Sequence, residues 1–492
     1  MVFSQLTFLY YFLPIVMIVY FFASDKIRNV LIFITGLLFY AWGEPFYVCL
    51  MLLSTAIDYT AGRLMAKYDD DNKKRKICLI VSVCMNVGLL AIFKYSDFLI
   101  DSFNGVFGTS ITNPVVLVNK ALNSLYPFGL NEKRVELPIG ISFYTFQSMS
   151  YTIDLYLRNI KVQKSFLNFA SYVSLFPQIV AGPIVRYEDV ANELESRTVN
   201  IAKISAGIGL FVKGLAKKVL LANNIGMVWT QIKAMDYSTI SVATAWLGII
   251  AFAFQIYFDF SGYSDMAIGL GLMFGFHFNE NFNYPYCSAS VSEFWRRWHI
   301  SLGTWFRDYV YFPLGGSRVS SKSRLVFNLF VVWMLTGIWH GASWNYVAWG
   351  FFYFVLLTFE KLTGIPKKLA HTWQRVLYRI FTLLCVMFGW VVFRAPGLKM
   401  GLSYIRSMFC LNGNAFADTA SLNLIGSYAL VAVLGIVFCM PVAGFVRKKI
   451  PENPKAQLAA EICTRVICLV LLAISCSFAV SSSYNPFIYF NF

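Results

Sequence analysis

Apolar stretches bounded by short polar or basic segments follow one another along nearly the whole chain. Their spacing predicts helices at about residues 6–23, 30–49, 48–65, 77–94, 138–156, 167–182, 204–222, 242–260, 262–276, 326–340, 345–362, 378–394, 426–446 and 462–480. A run of roughly 20 apolar residues is what an α-helix needs to cross a hydrocarbon core. Several of these runs are shorter than about 18 residues or are interrupted by Gly and Pro. Broken helices survive at membrane depth only where protein or a water-filled cavity surrounds them. The pattern therefore favours an all-α polytopic membrane body with re-entrant segments over an up-and-down bundle. The longest polar stretches are 95–136 and 277–324, and neither a periodic repeat nor a second soluble domain is visible. One transmembrane domain over 1–492 is expected.

The least usual run is Val326–Trp339, which leads straight into His340 and Gly341. Roughly 14 helical residues rise about 21 Å, against a hydrocarbon core of about 30 Å. A segment of that length entering the bilayer ends inside it, with an ionisable ring at its tip. Such a group is costly in lipid unless it lines a cavity, and is read as functional by default.

Composition supports the same class. The 492 residues are 58% hydrophobic and 13% charged, where a soluble globular chain carries about 25% charged residues. The net charge of +16 does not gather into one patch suited to nucleic acid, so no nucleic-acid partner is expected. It falls in clusters between apolar runs, at Lys26 and Arg28, Arg63 to Lys76, Arg158 to Lys164 and Arg447 to Lys449. That is the arrangement of cytoplasmic loops beside anionic membrane lipid. Loop charge thus assigns 63–76, 292–324 and 447–455 to the cytoplasm and both termini to the outside. Cysteines such as Cys84, Cys385, Cys439 and Cys476 lie in apolar runs, without CxxC pairs or Cys/His ligand spacing. Neither a metal site nor a disulfide framework is indicated. The N-terminus is apolar from Leu6 without a basic leader or a small-residue cleavage site, which reads as a retained first helix.

Three segments carry candidate chemistry. From Ser292 to Tyr311, the residues Phe294, Trp295, Trp298, His299, Leu302, Trp305, Phe306 and Tyr309 recur at helical spacing, with Arg296, Arg297 and Arg307 between them. A Trp-rich face opposite an Arg-rich one predicts a helix lying in the interface plane. His299 falls on the Trp face, so it either joins an anchoring helix or points inward toward a shared cavity with His340. Next, Phe312 to Arg318 (FPLGGSR) lacks P-loop spacing and reads as a plain turn, the alternative being backbone amides that approach a phosphate. In Gln255 to Phe276, Asp259 and Asp265 are six residues apart, so one helix does not place them on one face. They are expected to accept hydrogen bonds from nearby Ser, Tyr or backbone groups, while Gly262, Gly269, Gly271 and Gly275 suit close helix contact. Pro138 to Gln147 and Pro177 to Arg186 combine Pro, Gly and a buried polar group, as re-entrant turns do.

Five motifs then stand in order: LPIGISFYTFQSMSYTID, FPQIVAGPIVR, YFDFSGYSDMAIGLGLMFGF, WRRWHISLGTWFRDYVYFPLGG and TGIWHGASWNYVAWG. Together they resemble the membrane-bound O-acyltransferase (MBOAT) family, and most closely its bacterial alginate O-acetyltransferase-like branch. MVFSQLTFLYYFLP and FYAWGEPFY fit that branch too. The likeness reaches to about residue 410, with its core at about 138–350; the helices at about 426–480 are divergent. The resemblance implies a helical ring with a thin central tunnel, with His340 as the catalytic histidine and His299 as the second signature histidine. Trp295, Trp298, Arg307, Asp308, Asp259, Asp265 and Asn345 become candidates for contact with substrate or tunnel. It further implies a cytoplasmic acyl donor, acetyl-CoA or another acyl thioester, with no permanently bound cofactor. The acceptor side is extracytoplasmic, where a separate SGNH-like or related acyltransferase partner passes the group to a polysaccharide.

Acid–base chemistry gives the same outline independently. Acyl transfer needs a base that is neutral near pH 7, and imidazole meets that demand. A dry site protects the activated acyl group from hydrolysis. No Ser or Cys occupies a recognisable nucleophile motif, so direct transfer assisted by His340 is expected. The leading expectation is an O-acyltransferase, with acetyl as the group, in a bacterial cytoplasmic membrane, modifying an exported or cell-surface polysaccharide. Two alternatives accompany it: transfer of D-alanine toward teichoic acid from a carrier protein, and a secondary transporter using Asp259 and Asp265.

Overall fold

The computed structural model describes residues 1–125, 129–481 and 487–488; residues 126–128, within the polar stretch 95–136, lie outside them. Among the described residues the secondary structure is helical, with no strand. Six helices are long and apolar enough to cross a membrane: Val48–Lys67, Asn72–Phe107, Val242–Met273, Thr372–Arg394, Thr419–Phe438 and Pro454–Ser481. The all-α polytopic class expected from the apolar pattern is the one observed. The chain forms two compact units.

Unit one comprises Met1, 16–198 and the short segment Trp339–Ser343. Its helices start where the sequence supplies caps: the Asp71 carboxylate accepts from the Lys73 and Lys74 amides, and the Ser165 hydroxyl from the Asn168 amide. Three helices are stitched by a buried polar network. Ser82 and Asn86 both donate to the Asp58 carboxylate, at 2.6 and 2.8 Å, Ser54 donates to Asn86, and Ser82 reaches Thr152. Ile141–Tyr156 is a full helix, buried on almost every side. It is entered through Gly140 at φ +76°, where a Cβ would lie 2.3 Å from the Ile179 carbonyl oxygen. Only glycine suits that left-handed, closely approached position. The segment after Ile179 is irregular yet buried to Val185, with the Tyr172 hydroxyl donating to the Gln147 and Val185 carbonyls. Irregular backbone is thus enclosed in protein, as membrane depth requires.

Unit two comprises 2–15, 199–338 and the residues from 344 onward. The two runs expected at 242–260 and 262–276 are one helix of 32 residues, Val242–Met273. Gly262 does not break it, because packing outweighs the roughly 1 kcal/mol helix penalty of glycine. A Cβ at Gly262 would stand 2.7 Å from the Gly214 carbonyl, and one at Gly214 2.4 Å from the Gly262 carbonyl. Gly207 and Gly269 repeat this contact at 2.5 and 2.6 Å. Two pairs at the same seven-residue spacing bring Ile201–Ala216 and Val242–Met273 into backbone contact. Of the other glycines expected to pack closely, Gly271 faces the Phe278 ring and Gly275, at φ +88°, lies just past the helix end.

The interfacial helix expected over 292–311 is not formed. Val291–Arg297 and Ile300–Phe306 are separate helices, broken at Trp298 and at His299, which adopts φ +47°, ψ +55°. The 281–283 loop replaces the missing helical bonds: Asn283 N–H donates to Arg297 O, and Ile300 N–H to Asn281 O, both at 2.9 Å. Trp298 and Trp305 are buried core residues rather than an interface-seeking face. The FPLGGSR segment is a turn. The Gly315 and Gly316 amides donate to the Phe312 and Tyr311 carbonyls, which uses the donors a phosphate would need.

The glycine pairing is open to a stability test. Gly214→Val or Gly262→Val forces two backbones apart, and overpacking typically costs about 1–3 kcal/mol. Gly209→Val, on the same helix with nothing within 4 Å of a Cβ, is expected to be tolerated. Melting of the purified variants in detergent checks this, and equal melting points for all three would contradict the contact.

Candidate active site

In unit one, His340 is the last residue of the Lys322–His340 helix and is buried. Its ring lies 5.1 Å from that of Trp339, and Trp339 in turn packs on Phe143 and Phe146 at 5.6 and 5.7 Å. The Lys94 ammonium donates to the Trp339 carbonyl at 2.6 Å and to the Ser142 hydroxyl at 3.1 Å. The histidine is therefore presented at a helix end whose neighbouring carbonyl is capped by the Lys94 amino group. Sequence reasoning missed Lys94, though a lone lysine in the apolar run of residues 77–94 was a usable signal.

In unit two, His299 is buried at the break between two helices. Its Nδ1 is 3.1 Å from Asn281 Oδ1, the oxygen that also accepts from the Ser301 amide at 3.2 Å and the Ser301 hydroxyl at 2.9 Å. A backbone amide only donates, so the Asn281 atom is the acceptor and His299 Nδ1 carries the proton. The lone pair of the neutral ring then sits on Nε2. Burial pushes the imidazole down to about 3, so the ring is neutral at physiological pH. Phe260 meets it edge-on at 4.7 Å. Asn281 is itself held by its amide, which donates to the Ser264 hydroxyl at 3.0 Å. A non-glycine residue in the left-handed region is uncommon and marks a conformation the surroundings enforce. Nothing in the sequence of the 277–284 loop distinguished Asn281 beforehand.

The other candidates separate by role. Trp295 packs on Trp333, Trp349 and Tyr353 at 4.8–5.3 Å, and Trp298 on Phe294 and Trp390 at 5.6 and 4.9 Å. They form an aromatic core beside the helix break. Asn345 donates to the Ala395 carbonyl. Arg307 and Asp308 pair with each other. Asp259 and Asp265 have lysine partners beyond the hydroxyl and backbone donors expected. Lys218 pairs with Asp259 at 2.6 Å, and Lys217 and Lys213 both reach Asp265, at 2.8 and 3.3 Å. The Ile488 amide also donates to Asp259. Three lysines, not hydroxyls, neutralise these carboxylates, because burying a carboxylate is tolerable only with a counter-charge or a dense set of donors. Glu360, another residue the sequence did not single out, accepts from the Val291 and Ser292 amides at 2.8 Å and fixes the start of the helix leading to His299.

The role of Asn281 is testable. Asn281→Leu leaves buried donors without an acceptor, at about 1–3 kcal/mol each, and is expected to lower the melting temperature clearly. Asn281→Asp, which retains an acceptor, should lower it less. A wild-type melting curve for the Leu variant would show that the Asn281 side chain does not hold His299 and Ser301 in place.

The membrane-bound O-acyltransferase family model matches residues 34–405. A probable alginate O-acetylase of Pseudomonas putida is 36% identical, with all of both chains covered. The peptidoglycan O-acetyltransferase of Helicobacter pylori is 30% identical over all of this chain and 98% of its own. The teichoic acid D-alanyltransferase of Bacillus subtilis is 29% identical over 52% of this chain and 68% of its own. The transporter alternative falls away with these matches. Both histidine-bearing segments lie within the matched span, and the chain belongs to the membrane-bound O-acyltransferase family as a multi-pass membrane acyltransferase.

Proposed function

We propose that the protein is an O-acetyltransferase that passes an acetyl group from a cytoplasmic acyl thioester, acetyl-CoA being the simplest, toward hydroxyl groups of an exported or cell-surface polysaccharide. The observation that carries this reading is the buried His340 at its capped helix end, in a chain whose full-length relatives bear O-acetylase and O-acetyltransferase names. His340 acts as general base. It takes the proton of the acceptor hydroxyl as that oxygen attacks the thioester carbonyl. The C–S bond then breaks and the leaving thiolate takes the proton from the imidazolium. His299, neutral and with its lone pair on Nε2, offers a hydrogen-bond acceptor within its own unit. An SGNH-like or related extracytoplasmic acyltransferase completes transfer to the polymer, and the protein resides in a bacterial cytoplasmic membrane. D-Alanine transfer is the weaker reading, since its named relative aligns with only 52% of this chain.

General-base assistance contributes about 10²–10⁴-fold. His340→Gln retains hydrogen bonding but takes no proton in this range, so polymer acetyl content should fall to background while membrane abundance and polymer secretion stay normal. Normal acetylation by the Gln variant would contradict the mechanism.

A further inference from the structure

We propose that Lys94 is a positioning residue for acyl transfer, one that sets the place of the His340 imidazole by holding the carbonyl just before it. The inference rests on the reading of His340 as general base. Lys94 lies in the 36-residue apolar helix Asn72–Phe107, within the wide turn Ala91–Tyr95. Single wide turns inside long helices frequently occur at functional sites. A lysine in such a helix is expensive unless it meets acceptors, and its three contacts converge on one place. Its ammonium donates to the Trp339 carbonyl and the Ser142 hydroxyl, and stands 5.6 Å from the centre of the Trp339 ring.

These contacts tie three segments of unit one together: the wide turn, the start of Ile141–Tyr156 and the end of the His340 helix. The last carbonyls of a helix lack intrahelical donors, and a lysine supplies one where the end also favours positive charge. Trp339 is contacted by the Lys94 amino group at 5.6 Å and by the rings of Phe143 and Phe146 at 5.6 and 5.7 Å. Its carbonyl belongs to the peptide that joins it to His340, so loosening that carbonyl moves the next residue. A misplacement of about 1 Å in a catalytic arrangement costs about 100-fold.

The test compares Lys94→Met, Lys94→Arg and Lys94→Gln with wild type and His340→Gln in purified form. Labelled acetyl-CoA serves as donor and polymer isolated from the producing cells as acceptor, with the SGNH-like or related partner acyltransferase present in every reaction and rates expressed per folded molecule. Lys94→Met should lose at least about 10-fold in kcat with KM for acetyl-CoA within about twofold. At least one of the Arg and Gln variants, which retain N–H donors, should recover most of kcat. Wild-type kcat per folded molecule in Lys94→Met, even at reduced abundance, would overturn the proposal and leave Lys94 a structural brace. An equal loss in all three variants would overturn it as well. A fully active His340→Gln would instead refute the functional reading beneath it, so the two failures are separable.

Discussion

A polar group removed from water without a partner costs several kcal/mol, and an isolated charge costs far more. Most of this chain is apolar, so almost every polar residue inside it must find its partner within the protein. That requirement explains features which hydrophobicity alone does not. Asp58 draws hydrogen bonds from Ser82 and Asn86 across neighbouring helices. Asp259 and Asp265 draw three lysines from the segment before their own helix. Glu360 takes amides at a helix start that have no intrahelical acceptor, and Lys94 a carbonyl at a helix end that has no intrahelical donor. The buried polar groups thus specify which segments meet, while close glycine contacts set how near they come.

The same requirement determines where reactive groups are able to stand. A histidine in the middle of a regular helix is surrounded by side chains of its own ridge, whereas one at an end or a break projects beyond it. His340 ends a helix and His299 occupies a break. Each irregularity leaves main-chain groups that need partners, and each is supplied from another segment: Lys94 for the Trp339 carbonyl, the 281–283 loop for the backbone around His299. The supporting residues therefore hold the backbone geometry at both histidines.

The helical class, the multi-pass membrane character and the place of His340 at a helix end were legible because they depend on local features: apolar length and a histidine at the end of an apolar run. Longer-range partnerships were not. The 242–276 region looked like two helices because Gly262 reads locally as a weak point, yet its use is fixed by Gly214 nearly fifty residues earlier in the chain. The 292–311 segment looked like one amphipathic helix because its spacing is helical. The break at His299 is imposed by Asn281 and Asn283, which carry no local signal. For Asp259 and Asp265 the backbone donor expected is present at Asp259, but the lysines were not foreseen, because Lys213, Lys217 and Lys218 become neighbours only through tertiary packing.

The central claim, transfer of an acyl group from one side of the membrane to the other, is tested most directly by a sided assay. Wild-type protein is reconstituted in sealed vesicles, and labelled acetyl-CoA is supplied only at the face proposed as cytoplasmic. Hydroxyl acceptor is confined to the opposite face. The account predicts labelled ester on the acceptor, above the level in protein-free vesicles, while intact acetyl-CoA stays on its own side. Ester formed only on the donor side, or intact donor crossing the bilayer, would contradict it.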